Sequence, residues 1–199
     1  MHYPIDSYNL KYFDIIHNTF IKAQRNYTRL SVFRFDLRFP RTIKAMRDDR
    51  KVITRFIDSL KAKIAADIKR KSTTWHRRLT LDLHYVWVKE IGERNHKIHY
   101  HLMIFLNKDI YHCWGDFNRD HGCLSAMIQQ AWASALQAEL SAVKQSVHFC
   151  KNGVMYLNQN ANELEYKKHY AQIIERAQYL CKHHTKPYHQ GERLIGCNR

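Results

Sequence analysis

The chain has 199 residues, and its 33 Lys and Arg outnumber its 18 Asp and Glu, so the formal net charge is +15 with histidine neutral. Hydrophobic residues make up 45% of the chain, which is enough for a core and excludes intrinsic disorder as the main description. There is no apolar run of the roughly 18 residues that a membrane span needs and no signal-peptide pattern at the start, so we expect a cytoplasmic protein whose charge favours a polyanionic partner.

The first part of the chain predicts a helix, a strand and a second helix. Apolar residues at helical spacing predict helices over about residues 7–26 and 49–71. Between them, apolar and polar residues alternate with period two, which predicts a strand with one face in solvent. The apolar members of this strand are Phe33, Phe35, Leu37 and Phe39, and the polar members are Arg34, Asp36 and Arg38.

The rest of the chain predicts a hairpin, a helix, a short outer hairpin and a last helix. Two strand patterns flank the polar segment 92–97, and an Ala/Leu/Trp stripe predicts a helix over about 122–140. A turn at Asn152-Gly153 favours the outer hairpin, and the last helix runs over about 162–184. The fold class we expect is α+β, with an antiparallel β-sheet flanked by helices.

Two histidines on the second hairpin strand form a candidate metal site. His99 and His101 flank Tyr100, and because side chains alternate along a strand, both imidazoles project from one face, roughly 6.6 Å apart at the backbone. Two such nitrogens can bind one divalent ion, which also requires an oxygen ligand. Glu90 falls opposite His99 if the hairpin is symmetric about its loop, and Glu93 in the loop is the competing candidate.

Tyr179 and Lys182 form a second candidate pair. They are three residues apart on the predicted last helix and therefore share a face. A tyrosine that attacks phosphorus needs its proton removed or its phenolate stabilised, and a neighbouring ammonium together with a metal-polarised phosphate could supply both effects. A tyrosine beside a solvated lysine is common on helices, so the pair gains weight from the histidines.

The motifs together resemble the rolling-circle replication initiators of the HUH endonuclease superfamily. The phrases YVWVKE, HYHLMIFLNKD, AWASAL, RAQYLCKHHTK and GERLIGCNR are similar to the inovirus-type replication endonucleases of filamentous phages and prophages. This resemblance runs from about Arg29 to the C-terminus. It implies one HUH-type initiator domain over 1–199, with 1–28 as an N-terminal helical extension, histidines on a central strand and the nucleophile on a C-terminal helix.

The resemblance also implies roles for single residues. His99 and His101 would be metal ligands, with Glu90 as the third ligand; Tyr179 would be the nucleophile and Lys182 its assistant. The cofactor would be Mg²⁺ or Mn²⁺. The reaction would nick and rejoin single-stranded DNA through a 5′-phosphotyrosyl intermediate. Because no helicase motif is present, a host helicase would act with a host polymerase at a replication origin in a bacterial cytoplasm.

Several alternatives remain open from the residues alone. The protein could be an inactive prophage DNA-binding protein, or an HUH transposase or relaxase that serves another element. Arg34 and Arg38 are candidates for guiding a DNA backbone, or they are merely solvated. A series of cations beside Trp75 is either a solvated helix face or a grip on single-stranded DNA: Lys61, Lys63, Lys69, Arg70, Lys71, Arg77 and Arg78.

Overall fold

The computed structural model describes residues 8–40, 49–92, 97–182 and 193–198. Five strands form one antiparallel sheet in the order β4-β1-β3-β2-β5, with helices flanking it, which confirms the expected α+β class. No helix within these ranges is both long and apolar enough to cross a membrane. The elements are α1 Leu10–Asn26, β1 Arg29–Arg38, α2 Val52–Thr74, β2 His84–Ile91, β3 Ile98–Asn107, α3 Leu124–Leu136, α4 Leu140–Val143, β4 Val147–Asn158, α5 Glu163–Leu180 and β5 Ile195–Cys197.

The described residues form two compact units. The first takes the described parts of Met1–Asp36, His84–His112 and Phe149–Arg199, and the second takes those of Leu37–Leu83 and Cys113–His148. The boundary therefore falls inside β1, after Asp36. The expectation of one domain over 1–199 stays a prediction.

One face of the sheet builds the core of the first unit. Alternate residues of β1, β2 and β3 face the same side, and their apolar members lie in one cluster with residues of α1 and α5. The cluster includes Val32, Val86, Val88, Met103 and Phe105 from the strands, and Ile16, Phe20, Ala23, Ile173, Ala177 and Leu180 from the helices. The helical periodicity of α1 and α5 is thus explained by this shared core.

The alternating pattern correctly predicted strand β1, but the expectation that one face of this strand lies in solvent was wrong. Arg34 is 3% exposed and Asp36 is 5% exposed, while Arg38 at the end of the strand is exposed. Alternation tells which side a residue faces and cannot tell whether that side is covered. Both charged residues are buried because they bond to each other and to a histidine of the neighbouring strand.

The predicted outer hairpin was also wrong. The segment forms a single strand, β4, from Val147 to Asn158. Asn152 takes a left-handed conformation with φ of 54°, which asparagine adopts more readily than most residues. Gly153 lets the strand lie close to β1, since a Cβ there would be 2.6 Å from the carbonyl oxygen of Arg34. The Asn-Gly pair therefore marks a left-handed residue inside the strand and a close approach of two strands.

The second unit is built on α2 and α3. The indole of Trp132 on α3 meets the rings of Phe39 and Phe56 edge-on, at centroid distances of 5.4 and 6.0 Å. Its Nε1 donates a hydrogen bond to the carbonyl oxygen of Arg38. The helix expected over 122–140 is shorter and divided, because Gln137 is left-handed and ends α3 before α4 begins.

A short strand near the C-terminus, β5, had no sequence signal. It pairs antiparallel with β2, placing Gly196 opposite Trp87. A Cβ on Gly196 would lie 2.5 Å from the indole Cε2 of Trp87, so only glycine lets the strand pass over this ring. Trp87 is itself buried and cannot easily move away.

We expect Gly196→Val to destabilise the protein by about 1–3 kcal/mol, because the added side chain overlaps a packed ring. Urea unfolding followed by far-UV circular dichroism measures the loss. The matched control is Ile195→Val on the same strand, which removes one methylene at a half-buried position and should cost about 0.5 kcal/mol. Equal midpoints for the two variants would contradict the assigned contact.

Candidate functional site

The apolar face of the first unit turns polar at one end. Beyond their apolar residues, the three adjacent strands β1, β3 and β2 place ionisable side chains on the same face. Strand alternation explains this, because each polar residue is an even number of positions from an apolar core residue of its own strand. These residues are Arg34 and Asp36 on β1, His99 and His101 on β3, and Glu90 on β2.

Glu90, His99 and His101 offer three ligand atoms that all lie within 4.8 Å of one another. Glu90 pairs with His99 across the hairpin, which is the register that the symmetric hairpin predicted. Glu90 Oε2 is 2.9 Å from Nε2 of His101 and 3.7 Å from Nε2 of His99. The two imidazoles meet edge-on at a centroid distance of 4.6 Å. The three side chains therefore converge on one point.

Each histidine has its other ring nitrogen held by an oxygen atom. Nδ1 of His99 lies 3.2 Å from the carbonyl oxygen of Lys97, and Nδ1 of His101 lies 2.5 Å from Oδ1 of Asp36. An N–H donated from Nδ1 in this way leaves Nε2 to face the cluster. Such oxygen partners are what fix the tautomer and ring orientation of metal-binding histidines.

Asp36 and Arg34 complete a buried chain of charges. Arg34 forms an ion pair with Asp36, and its Nη2 lies 2.8 Å from Nδ1 of His101. Burial raises the pKa of Asp36, but the hydrogen bond from His101 and the charge of Arg34 outweigh it and hold that pKa well below its usual range. Asp36 therefore remains a carboxylate that accepts from both neighbours.

The two histidines respond to this environment in opposite directions. Burial lowers the pKa of His101, but its hydrogen bonds with Asp36 and Glu90 outweigh burial and raise the pKa above its ordinary value. Burial, followed by the charge of His101, lowers the pKa of His99. The surroundings of His101 therefore favour its protonated form more than water does for an ordinary histidine, and a divalent ion that binds Nε2 would displace a proton there.

The donor set fits a divalent transition ion. Two imidazole nitrogens and one carboxylate oxygen suit Mn²⁺ better than Mg²⁺, which prefers oxygen ligands throughout. The ligands come from two strands of the sheet and are held by neighbouring oxygen atoms, so the site is largely formed before an ion arrives. Glu90, His99 and His101 therefore form a group of described residues that could hold a metal ion.

Tyr179 lies beside this cluster at the end of α5. Its ring centroid is 6.4 Å from that of His101, and its side chain is 40% exposed. The ammonium of Lys182 lies 4.2 Å from the ring centroid, and the guanidinium carbon of Arg34 lies 5.8 Å from it. A half-exposed phenol thus lies next to two cations and the candidate ligands.

Lys182 reaches the tyrosine by a route that differs from the predicted one. Helix α5 ends at Leu180, so Lys182 lies beyond the helix and does not share a helical face with Tyr179. The backbone of this segment pairs with Tyr8, and the carbonyl oxygen of Cys181 accepts a hydrogen bond from the amide of Asn9. These bonds hold Lys182 over the tyrosine ring.

The remaining candidate residues from the sequence are two arginines and the loop glutamate. Arg34 lies inside the cluster, where the alternating pattern had placed it in solvent. Arg38 is exposed at the end of β1 and belongs to the second unit. Its proposed contact with a DNA backbone stays a prediction. Glu93, the competing third ligand, lies outside the described residues.

Asp36 is the site residue that sequence reasoning missed. It was part of the strand pattern, but its role depends on β1 lying next to β3, which local periodicity does not show. A signal was nevertheless present, because an Asp between two apolar residues of a strand is rarely buried without a charged partner. The neighbouring Arg34 was one such partner, and His101 is the other.

The fold and site define an α+β protein with a cluster of two histidines and a glutamate beside a partly exposed tyrosine. The chain belongs to the YagK/YfjJ C-terminal domain family, whose model matches residues 5–198. It is 32% identical to the uncharacterized protein YagK of Escherichia coli K12 over 197 residues, covering 96% of this chain and 93% of that protein. It is 35% identical to the uncharacterized protein YfjJ of the same strain over 155 residues, covering 77% and 73%. No solved structure matches the chain.

We expect Glu90→Ala to weaken Mn²⁺ binding by tenfold or more, because it removes the only carboxylate among the three converging ligands. Glu93→Ala is the matched control and should change the affinity little. Isothermal titration of the full chain with Mn²⁺ measures both. A larger loss in Glu93→Ala would identify the loop glutamate as the ligand.

We expect Asp36→Asn to weaken Mn²⁺ binding by about tenfold to a hundredfold. Asp36 is not one of the three converging ligands, but its carboxylate orients His101, and a neutral amide would hold the Nδ1 proton of His101 less firmly. The same titration measures the loss, with unfolding curves to separate it from stability. Arg29→Gln is the control, since it alters an exposed ion pair with Asp109. Full Mn²⁺ affinity in Asp36→Asn would contradict the role given to this carboxylate.

Proposed function

We propose that the protein is an HUH-type rolling-circle replication initiator, a metal-dependent endonuclease that nicks and rejoins single-stranded DNA through Tyr179. The observation that carries this proposal is the position of Tyr179, a partly exposed phenol whose ring lies 6.4 Å from His101 of the candidate metal centre. The motif resemblance described above adds to it. A buried tyrosine would only pack, and a tyrosine away from the histidines would lack the polar surroundings that phosphoryl transfer needs.

The phenolic oxygen of Tyr179 attacks phosphorus in this proposal. A bond forms between that oxygen and phosphorus, and the bond from phosphorus to the 3′ oxygen breaks. The phenol gives up its proton and the leaving oxygen takes one up, so the products are a 5′-phosphotyrosyl ester and a free 3′-hydroxyl. Attack by a 3′-hydroxyl on this ester reverses the step, and therefore rejoining needs no nucleotide cofactor.

Lys182 and Arg34 act on charge. The Lys182 ammonium lies over the ring, where it would attract the phosphate that the phenolic oxygen attacks. Arg34 lies on the same ring but is neutralised in part by Asp36, so its contribution is smaller. A bound divalent ion would polarise the scissile phosphate. Glu90, His99 and His101 would hold that ion in place.

The proposed product explains which partners the protein would need. A host polymerase can extend the free 3′-hydroxyl at the nicked origin, and a host helicase would unwind the duplex. With one tyrosine in the motif, each active site carries out one covalent step. We propose the bacterial cytoplasm as the place where these partners and the DNA meet.

We expect Tyr179→Phe to abolish the covalent protein–DNA adduct, because the ring still packs but the attacking oxygen is absent. Lys182→Ala should slow adduct formation on the order of tenfold to a hundredfold, since Arg34 and a bound ion share its electrostatic effect. The measurement is a denaturing gel of the full chain with labelled single-stranded DNA from its own genetic element, with Mn²⁺ and with EDTA.

The matched control is Tyr166→Phe on the same helix, whose hydroxyl accepts a hydrogen bond from Gln24 in the core of the first unit. This variant should form the adduct at the normal rate. A band that persists in Tyr179→Phe would move the nucleophile elsewhere. The absence of an adduct in the unaltered chain, with DNA binding retained, would favour an inactive DNA-binding protein.

A further inference from the structure

The C-terminal end of α2, in the second unit, carries an exposed aromatic ring among cations. Trp75 follows the last residue of the helix and is 45% exposed. The Nζ of Lys71 lies 5.8 Å from its ring centroid. We call the surface formed by Lys71, Trp75, Arg77 and Arg78 the α2-end patch. Tryptophan is usually buried to a large degree, so such exposure needs a reason.

The helix end fixes the shape of this patch. His76 is left-handed with φ of 49°, and its amide donates to the carbonyl oxygen of Thr73. The amide of Arg77 donates to the carbonyl oxygen of Ser72. These two bonds form a Schellman motif, which ends a helix with a defined change of chain direction. Trp75 and the two arginines after it are therefore held on a structured turn.

The charge of this region has one sign. Five cations and no carboxylate occur between residues 69 and 78, and the nearest acid before them, Asp67, is buried. Asp67 pairs with Arg70 and Lys71 on the helix itself. Arg77 and Arg78 lie beyond the helix and are exposed, so the outer part of the patch is strongly positive.

The helix dipole explains only some of the cations at the end of α2. Cations in the last turn of a helix are stabilised by the helix dipole, which explains Arg70 and Lys71. The dipole effect is confined to that last turn and does not explain Arg77 and Arg78. It also gives no reason for an exposed indole at the centre of the positive region. Charge and ring together match the surfaces that bind single-stranded nucleic acid.

We propose that the α2-end patch binds single-stranded DNA, with a base stacked on Trp75 and the phosphates on either side bound by Arg77 and Arg78. An indole face stacks on an unpaired base and has no comparable surface on a duplex, so the strand is single. The choice of DNA over RNA rests on the proposed function. This contact adds affinity without base readout, since every base offers a face for stacking.

The experiment measures binding apart from cleavage. The full chain carries Tyr179→Phe, so that no adduct forms, and fluorescence anisotropy follows its binding to a labelled oligothymidine. Trp75→Ala should raise Kd by about fivefold to a hundredfold, and Trp75→Phe should recover part of the loss because a phenyl ring still stacks. The double change Arg77→Ala and Arg78→Ala should weaken binding and flatten its dependence on log salt by roughly 0.7 per lost phosphate contact.

Two control variants match these changes. Phe117→Ala removes another exposed aromatic ring of the second unit, 48% exposed, and Lys167→Ala with Lys168→Ala removes the same charge from the surface of α5. Both should bind oligothymidine with less than a twofold change in Kd. Equal losses in patch and control variants would overturn the proposal, because net charge alone would then explain the binding. Circular dichroism melts confirm that each variant folds.

Other outcomes separate this proposal from the proposed function. If Trp75→Ala weakens binding of double-stranded DNA as much as binding of single-stranded DNA, then stacking of an unpaired base on Trp75 is overturned. If the protein binds an RNA oligomer more tightly than the DNA oligomer, then the assignment of DNA as the partner is overturned. Binding that depends on Trp75, together with an unaltered chain that forms no adduct with DNA, supports the patch and counts against the nuclease. An adduct formed while Trp75→Ala binds normally supports the nuclease and overturns the patch.

Discussion

The candidate site depends on the mutual neutralisation of buried charges at one end of a sheet face. His101 lies between the carboxylates of Asp36 and Glu90, and Arg34 compensates the first of them. Removing one partner of such a buried set typically costs about 3–5 kcal/mol, because the remaining charge is left without compensation. A slip of one residue between strands would turn these side chains to the opposite face. The register of β1, β3 and β2 and the integrity of the cluster are therefore one constraint.

This constraint also explains how a metal centre would be positioned. Strands hold side chains with less freedom than loops, and the ligand nitrogens are further oriented by Asp36 and the carbonyl oxygen of Lys97. The tyrosine is placed differently, at the end of α5, where it is partly exposed and where the proposed DNA substrate would approach it. A candidate metal centre built on strands beside an accessible tyrosine is the arrangement that the proposed phosphoryl transfer would need.

The two proposals assign DNA affinity and DNA cleavage to different parts of the protein. Phosphate contacts supply most of the affinity of a basic protein for DNA and carry no sequence information. The α2-end patch, in the second unit, would supply such affinity together with stacking, while Glu90, His99, His101 and Tyr179 in the first unit would carry out cleavage. Substitutions in one unit should therefore change binding, and substitutions in the other should change the covalent step.

The sequence by itself determined the class of fold, the strand that carries His99 and His101, and the pairing of Glu90 with His99, because these follow from period-two alternation and a symmetric hairpin. Only the tertiary structure decided that β1 lies beside β3, so that Asp36 and Arg34 are buried against His101. It also decided that β4 is one strand and that Lys182 reaches Tyr179 from beyond the helix. Local periodicity records the side to which a residue points, whereas strand neighbours and coverage are set by packing between segments distant along the chain.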